Sequence, residues 1–111
     1  MQSNIYVSSG HIKAKPLIRY KLTDEEGNLT QIAAWRVPAD AKHPEGVRYR
    51  MAFVPRGHSR PVVLYDNHHP KGHHKHIGAQ ESPYLFFDAR RLVLDFNRDI
   101  QLWKQARGWP Q

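Results

Sequence analysis

The segment from Asp66 to His76, DNHHPKGHHKH, holds five of the eight histidines in the chain, together with two lysines and one aspartate. Imidazole takes up and releases protons near neutral pH, and an ammonium group stabilises the negative charge that develops on a phosphoryl group during its transfer. Cleavage of RNA without a metal needs a base for the 2′-hydroxyl proton, an acid for the departing 5′-oxygen and a cation beside the phosphate. The composition of this segment therefore predicts acid-base chemistry on a phosphodiester.

The spacing of the histidines indicates which of them act together. In an extended segment, side chains alternate between two faces, so His74 and His76 share one face and lie about 7 Å apart at their backbones. His73 and Lys75 then point the other way. Two imidazoles on one face are placed to flank a single phosphate as acid and base.

Two further side chains complete the predicted catalytic set. Asp66 follows a short apolar strand and is placed to orient one imidazole and to fix its tautomer. Lys71 stands beside Gly72, where the backbone can approach a ligand closely, and brings an ammonium group to the phosphate. We therefore expect catalysis by His74, His76, Lys71 and Asp66.

Three other interpretations of this segment stay open. Histidines at alternating strand positions, with Asp66, would suit zinc, nickel or manganese, although no established ligand spacing such as a helical HExxH is present. The segment could also be a solvated loop whose histidines have no role, or a surface that binds phosphate without catalysis. We predict a protein without a metal or other cofactor and keep the metal site as an alternative.

A strong positive charge favours polyanionic partners. The 111 residues include 17 lysines and arginines against 10 acidic residues, which gives a formal charge of +7. Such a field attracts RNA, DNA or an acidic protein. We expect Arg48 and Arg50, on the wet face of one strand, to contact a nucleic-acid backbone, and Trp109 is a candidate for stacking on a base. A solvated face explains the same arginines equally well.

Alternation of apolar and polar residues predicts a sheet. The clearest pattern lies between Val47 and Val54, where Tyr49, Met51 and Phe53 alternate with arginines and an alanine. The acidic turn at 24–27 joins two earlier strands into a hairpin. The other strands are predicted at Ala14–Leu22, Leu29–Val37, Val62–Tyr65 and, as an edge strand, Pro83–Phe87. The segment His73–Ile77 is expected to continue the chain in an extended conformation.

The final segment changes to helical periodicity, with apolar residues recurring every three or four positions. Asp88 is a suitable N-cap, and Gly108 followed by Pro110 would end the helix. We therefore expect an α+β fold in which an antiparallel sheet of four to five strands is covered on one face by this C-terminal helix. Its predicted apolar stripe consists of Ala89, Val93, Phe96, Ile100 and Trp103.

Length and composition limit the domain organisation and the compartment. A chain of 111 residues supports one core, so we expect a single domain over 1–111, with 1–13 flexible. The absence of cysteine excludes disulfides and thiolate zinc sites and favours a reducing cytoplasm. The chain has no run of roughly 18 apolar residues that could span a membrane.

Two motifs in the histidine-rich region are specific: YDN at 65–67, followed by KGHHKH at 71–76. With three further strings in the same order along the chain, they resemble the TumE family, toxin components of bacterial toxin-antitoxin pairs. The resemblance runs roughly from Leu17 to Trp103. The strings that carry it are RYRMAFVPRG, VVLYDN, KGHHKHIG, PYLFF and LVLDFNRDI.

The resemblance implies a small cytoplasmic toxin that acts on RNA or another part of the translation machinery. Its expected partner is a DNA-binding antitoxin encoded by a neighbouring gene. Association of the toxin with further copies of itself as a homo-oligomer is kept as an alternative. On the same basis Asn67, Gly72 and Lys75 match the family motif and are assigned to substrate binding. His68, His69, Pro70 and His73 are unlike the family's usual loop, and this difference weakens the case for a metal site that uses these histidines.

Overall fold

The computed structural model describes residues 14–108. Within this range it shows an α+β fold, with one open antiparallel sheet of six strands in chain order and a C-terminal helix. The predicted flexibility of 1–13 and the stacking role of Trp109 lie outside the described residues. The elements are β1 (Lys15–Thr23), β2 (Leu29–Arg36), β3 (Val47–Val54), β4 (Val63–Asp66), β5 (His74–Ile77), β6 (Gln80–Pro83) and α1 (Ala89–Ala106).

The last edge of the sheet differs from the prediction. The expected edge strand at 83–87 is wrong, because the sixth strand is Gln80–Pro83 and pairs with β5 across a turn at Gly78 and Ala79. Gly78 has a φ of +60°, a left-handed conformation that tight hairpins need and that glycine adopts without steric cost. β6 is exposed along its whole length, so no apolar alternation reveals it. The sheet therefore has six strands, rather than four to five.

The segment between β6 and α1 explains the mistaken edge strand. Tyr84 and Phe86 pack against the core, whereas Leu85 is 90% exposed. Buried and exposed side chains therefore alternate along this segment as they do in a β-strand, although residues 84–87 are not part of a strand. Asp88 then caps the helix as predicted, since its Oδ1 accepts a hydrogen bond of 2.7 Å from the Arg91 N–H.

The helix covers one face of the sheet, and its buried stripe differs partly from the predicted one. Three of the five predicted positions are buried, but Ala89 and Val93 are exposed and Leu92 occupies the core instead. Within residues 14–108 no helix has the length and apolar character needed to cross a bilayer. The core consists of Tyr49, Met51, Phe53, Val63, Tyr65, Leu92, Phe96, Ile100 and Trp103.

The pairing register decides which side chains share the sheet face opposite the helix, which we call the open face. Directly paired residues of antiparallel strands project to the same face. Arg50 pairs with Asp66, and Asp66 pairs with His74. These three residues form a row across β3, β4 and β5. His76 pairs with Glu81 on β6 in the row two residues further along β5.

Candidate functional site

His74 is held from both sides of its ring. It is buried, with Nε2 at 3.0 Å from Asp66 Oδ1 and Nδ1 at 2.8 Å from the carbonyl oxygen of Gly72. A carbonyl oxygen only accepts hydrogen bonds, so Nδ1 carries a hydrogen, and Nε2 is the ring nitrogen that faces the Asp66 carboxylate. Asp66 thus lies beside one imidazole, where the sequence predicts a carboxylate, and both ring nitrogens of His74 face acceptors of the protein itself.

His76 lies next to His74 on the open face. The two ring centroids are 5.2 Å apart and the ring planes cross at 70°. Within residues 14–108 no group is hydrogen-bonded to the His76 ring, which is only partly buried. Both ring nitrogens of His76 are therefore available for contact with a bound molecule.

The ammonium group of Lys71 is paired with a carboxylate that the sequence analysis missed. Lys71 Nζ lies 2.7 and 3.0 Å from the two carboxylate oxygens of Glu81. This hydrogen bond lowers the pKa of Glu81, so the carboxylate is ionised at neutral pH. One ligand atom from each of His74, His76 and Glu81 lies within 4.8 Å of the others. Lys71 is thus connected to the histidine pair by its ion pair with Glu81, which lies beside both imidazoles. The ammonium group must break this ion pair to bind a phosphate.

The predicted arginines lie beside this cluster on the open face. The residues that line a depression of about 210 Å³ include Trp35, Arg48, Arg50 and Asp66. The guanidinium of Arg48 lies 5.2 Å from the centre of the Trp35 ring, and that of Arg19 lies 5.8 Å from it. The sequence analysis did not include Trp35 in the site. Trp35 lies two residues after Ala33 on β2, and Ala33 pairs with Arg50, so Trp35 and Arg50 project from the same face of the sheet.

Lys75 lies on the opposite side of the sheet from the histidine pair. Its Nζ is 3.0 Å from Asp99 Oδ2 on α1, and the Tyr65 hydroxyl donates to the same oxygen at 2.5 Å. Burial and the hydrogen bond to Asp99 both raise the pKa of Tyr65, so the hydroxyl keeps its proton. The structure thus does not bring Lys75 to the site where the other predicted side chains meet.

Asn67 is also predicted to bind substrate, but only 2% of this residue is exposed. Its side chain links the residue after β4 to the backbone of β3 by hydrogen bonds. Asn67 Oδ1 accepts from the Tyr49 N–H at 2.9 Å, and Nδ2 donates to the Val47 carbonyl at 2.7 Å. All of this bonding is internal. Gly72 contributes its carbonyl to His74, and its φ of +71° would strain any other residue.

His73 projects towards the helix side, as the alternation predicts, and is built into the structure there. Its Nδ1 is 2.8 Å from the Tyr49 hydroxyl and its Nε2 is 2.9 Å from Glu45 Oε1. Its ring also stacks on Phe86, with centroids 4.6 Å apart. A metal site that combined His73 with His74 is therefore ruled out by the geometry.

Replacing Asn67 with alanine should lower stability rather than act on a substrate. The change leaves the buried Tyr49 N–H and the Val47 carbonyl without partners, at a cost of about 1–3 kcal/mol for each group. Urea denaturation measures the effect, with Asn97→Ala on the exposed side of α1 as the matched control. Unchanged stability with weakened RNA binding would show that Asn67 contacts the substrate instead.

Comparison with known proteins adds an assignment to this geometry. No curated protein and no solved structure matches the chain significantly. The sequence model of the family described as Toxin TumE matches residues 3–104, which confirms the resemblance seen in the ordered motifs. The chain therefore belongs to the TumE family of toxins.

Proposed function

We propose that this toxin cleaves RNA without a metal, with His76 as the general base and His74 as the general acid. The observation that carries the proposal is the pair of adjacent imidazoles on the open face, one held by Asp66 and the other without a hydrogen-bond partner within residues 14–108. An acid and a base in different environments are what a single proton-transfer site needs.

The proposed reaction transfers one phosphoryl group within the RNA. His76 removes the proton of a 2′-hydroxyl, whose oxygen bonds to the adjacent phosphorus, and the bond from phosphorus to the 5′-oxygen breaks. His74, in its protonated form, supplies the hydrogen of Nε2 to the departing oxygen, which takes the place of Asp66 Oδ1 beside this nitrogen. The products are a 2′,3′-cyclic phosphate and a free 5′-hydroxyl. Asp66 orients the His74 ring before the transfer, and the Gly72 carbonyl, which accepts from Nδ1 at 2.8 Å, keeps the ring in position while Nε2 loses and regains its hydrogen.

Cationic side chains around the pair would bind the RNA backbone. Arg50 stands beside Asp66 in the row that leads to His74, and Arg48 lies over Trp35 at the other end of the depression. Lys71 is the predicted phosphate cation, and we expect it to exchange Glu81 for a phosphate when RNA binds. Preorganised cations of this kind stabilise charge in the transition state.

The toxin role implies a neutralising partner. We propose a DNA-binding antitoxin encoded by a neighbouring gene, with both proteins in the cytoplasm. Expression of the toxin alone should then stop bacterial growth, and coexpression of the neighbouring gene should restore it.

The decisive experiment incubates purified toxin with total RNA in the presence of EDTA. We expect cleaved RNA that ends in 2′,3′-cyclic phosphate, because none of the proposed steps uses a metal. RNA that stays intact but binds with a steep salt dependence would favour the second candidate, a module that only binds nucleic acid, which the Arg48–Trp35 surface also supports. Cleavage that EDTA abolishes and a divalent ion restores would replace the mechanism with a metal-dependent one.

A further inference from the structure

We infer that His74, His76 and Glu81 form a binding site for a divalent transition metal of the Zn²⁺ type, and that the bound metal inhibits the toxin. The binding is independent of the proposed function, whereas the inhibition rests on it. Glu81 is the essential addition, because it becomes a neighbour of the histidines only through the β5–β6 pairing.

The three side chains are close to the arrangement that a metal needs. Their ligand atoms lie within 4.8 Å of one another. Ligands about 2.1 Å from a tetrahedral metal are separated by about 3.4 Å, so small side-chain rotations close the site. Two imidazoles and one carboxylate form a donor set that suits Zn²⁺ and leaves a fourth position for water.

The charges around the cluster permit a dication. The carboxylates of Asp66 and Glu81 balance the cations of Lys71 and Arg50, so no excess positive charge opposes the metal. Binding frees Lys71, because the metal takes over the carboxylate that holds it at 2.7 Å. Neutral imidazole is the ligand form of histidine, so His74 would bind the metal through Nε2, which exchanges Asp66 Oδ1 at 3.0 Å for the metal, while Nδ1 keeps its hydrogen bond to Gly72.

Inhibition follows from the atoms that the metal would occupy. A metal on His76 uses the lone pair that takes the 2′-hydroxyl proton in the proposed reaction. A metal on His74 replaces a ring hydrogen of the proposed acid. A bound Zn²⁺ therefore removes both proton-transfer groups at once, while the RNA-binding arginines are left free.

The binding test titrates EDTA-treated full-length toxin with Co²⁺, a spectroscopic substitute for Zn²⁺. We expect one equivalent to bind with the visible absorption of a tetrahedral site, and Zn²⁺ to displace it. His76→Ala and Glu81→Gln should each weaken binding by about tenfold or more, since even outer partners of a metal contribute on this scale. Glu25→Gln, in the exposed turn between β1 and β2, is the matched control and should bind like the wild type.

The outcomes separate this inference from the proposed function. Absence of Co²⁺ binding overturns the site. Binding by His76→Ala and Glu81→Gln that equals that of the wild type and of the Glu25→Gln control also overturns it. Binding at the site with RNA cleavage that is unaffected by Zn²⁺ overturns the inhibition. If no RNA is cleaved under any condition, the proposed function fails and the inhibition falls with it, while the Co²⁺ titration still decides the metal site.

Discussion

Replacing His76 with alanine should slow RNA cleavage by about 10²–10⁴-fold, the usual contribution of a positioned general base. The side chain is partly exposed and lies outside the core cluster, so the variant should fold normally. The loss should appear in the rate at saturating RNA more than in RNA affinity, because the cations proposed to bind the RNA backbone are unchanged. Single-turnover cleavage of a short labelled RNA in EDTA measures the rate, and circular dichroism checks the fold.

The matched control for this experiment is His58→Ala. His58 is also exposed, but it lies in the turn between β3 and β4 and contacts Trp103 on the helix side, with ring centroids 5.9 Å apart. The control should cleave RNA at the wild-type rate. Full cleavage by the His76 variant would remove this residue from the mechanism, and equal losses in both variants would point to a general effect of removing a histidine.

Replacing Phe96 with alanine should lower the free energy of unfolding by about 3–5 kcal/mol, the usual cost of removing a buried phenyl ring. Phe96 is fully buried, and its ring packs edge-on against Tyr65 with centroids 5.7 Å apart. This contact joins α1 to the middle of the sheet. Small domains are stable by about 5–15 kcal/mol, so the loss is a large part of the total.

Leu94→Ala is the matched control for the core variant. Leu94 lies on the same helix, but its side chain is 51% exposed, so its loss should change stability by less than about 1 kcal/mol. Guanidinium denaturation of both variants gives the comparison. Equal losses at the two positions would mean that the helix does not pack on the sheet through the face that contains Phe96.

Local patterns along the chain are enough to predict most of the elements. β3 has the predicted bounds, and the helix begins after the predicted cap at Asp88. Both carry a period that burial imposes on the sequence, of two residues in a strand and of three to four in a helix. β6 has no such period, because it is an exposed edge strand of polar residues. Its position follows instead from a tight turn at Gly78 and from pairing with β5.

The candidate site also has a part that residue spacing predicts and a part that depends on the pairing between strands. The alternation of His74 and His76 onto one face, and of His73 and Lys75 onto the other, is a property of any extended strand and is predictable from spacing alone. What lies opposite each side chain depends on register between strands. Pairing with β6 brings Glu81 to the histidines.

The sequence by itself therefore determined the toxin family, the α+β class, the basic charge and the histidine pair. Only the tertiary structure decided that Asp66 holds His74, that Glu81 neutralises Lys71 and that the buried Asn67 side chain is hydrogen-bonded to β3. The physical reason is that side-chain direction along a strand is set by local backbone geometry, whereas hydrogen-bond partners are set by contacts between residues distant in the chain.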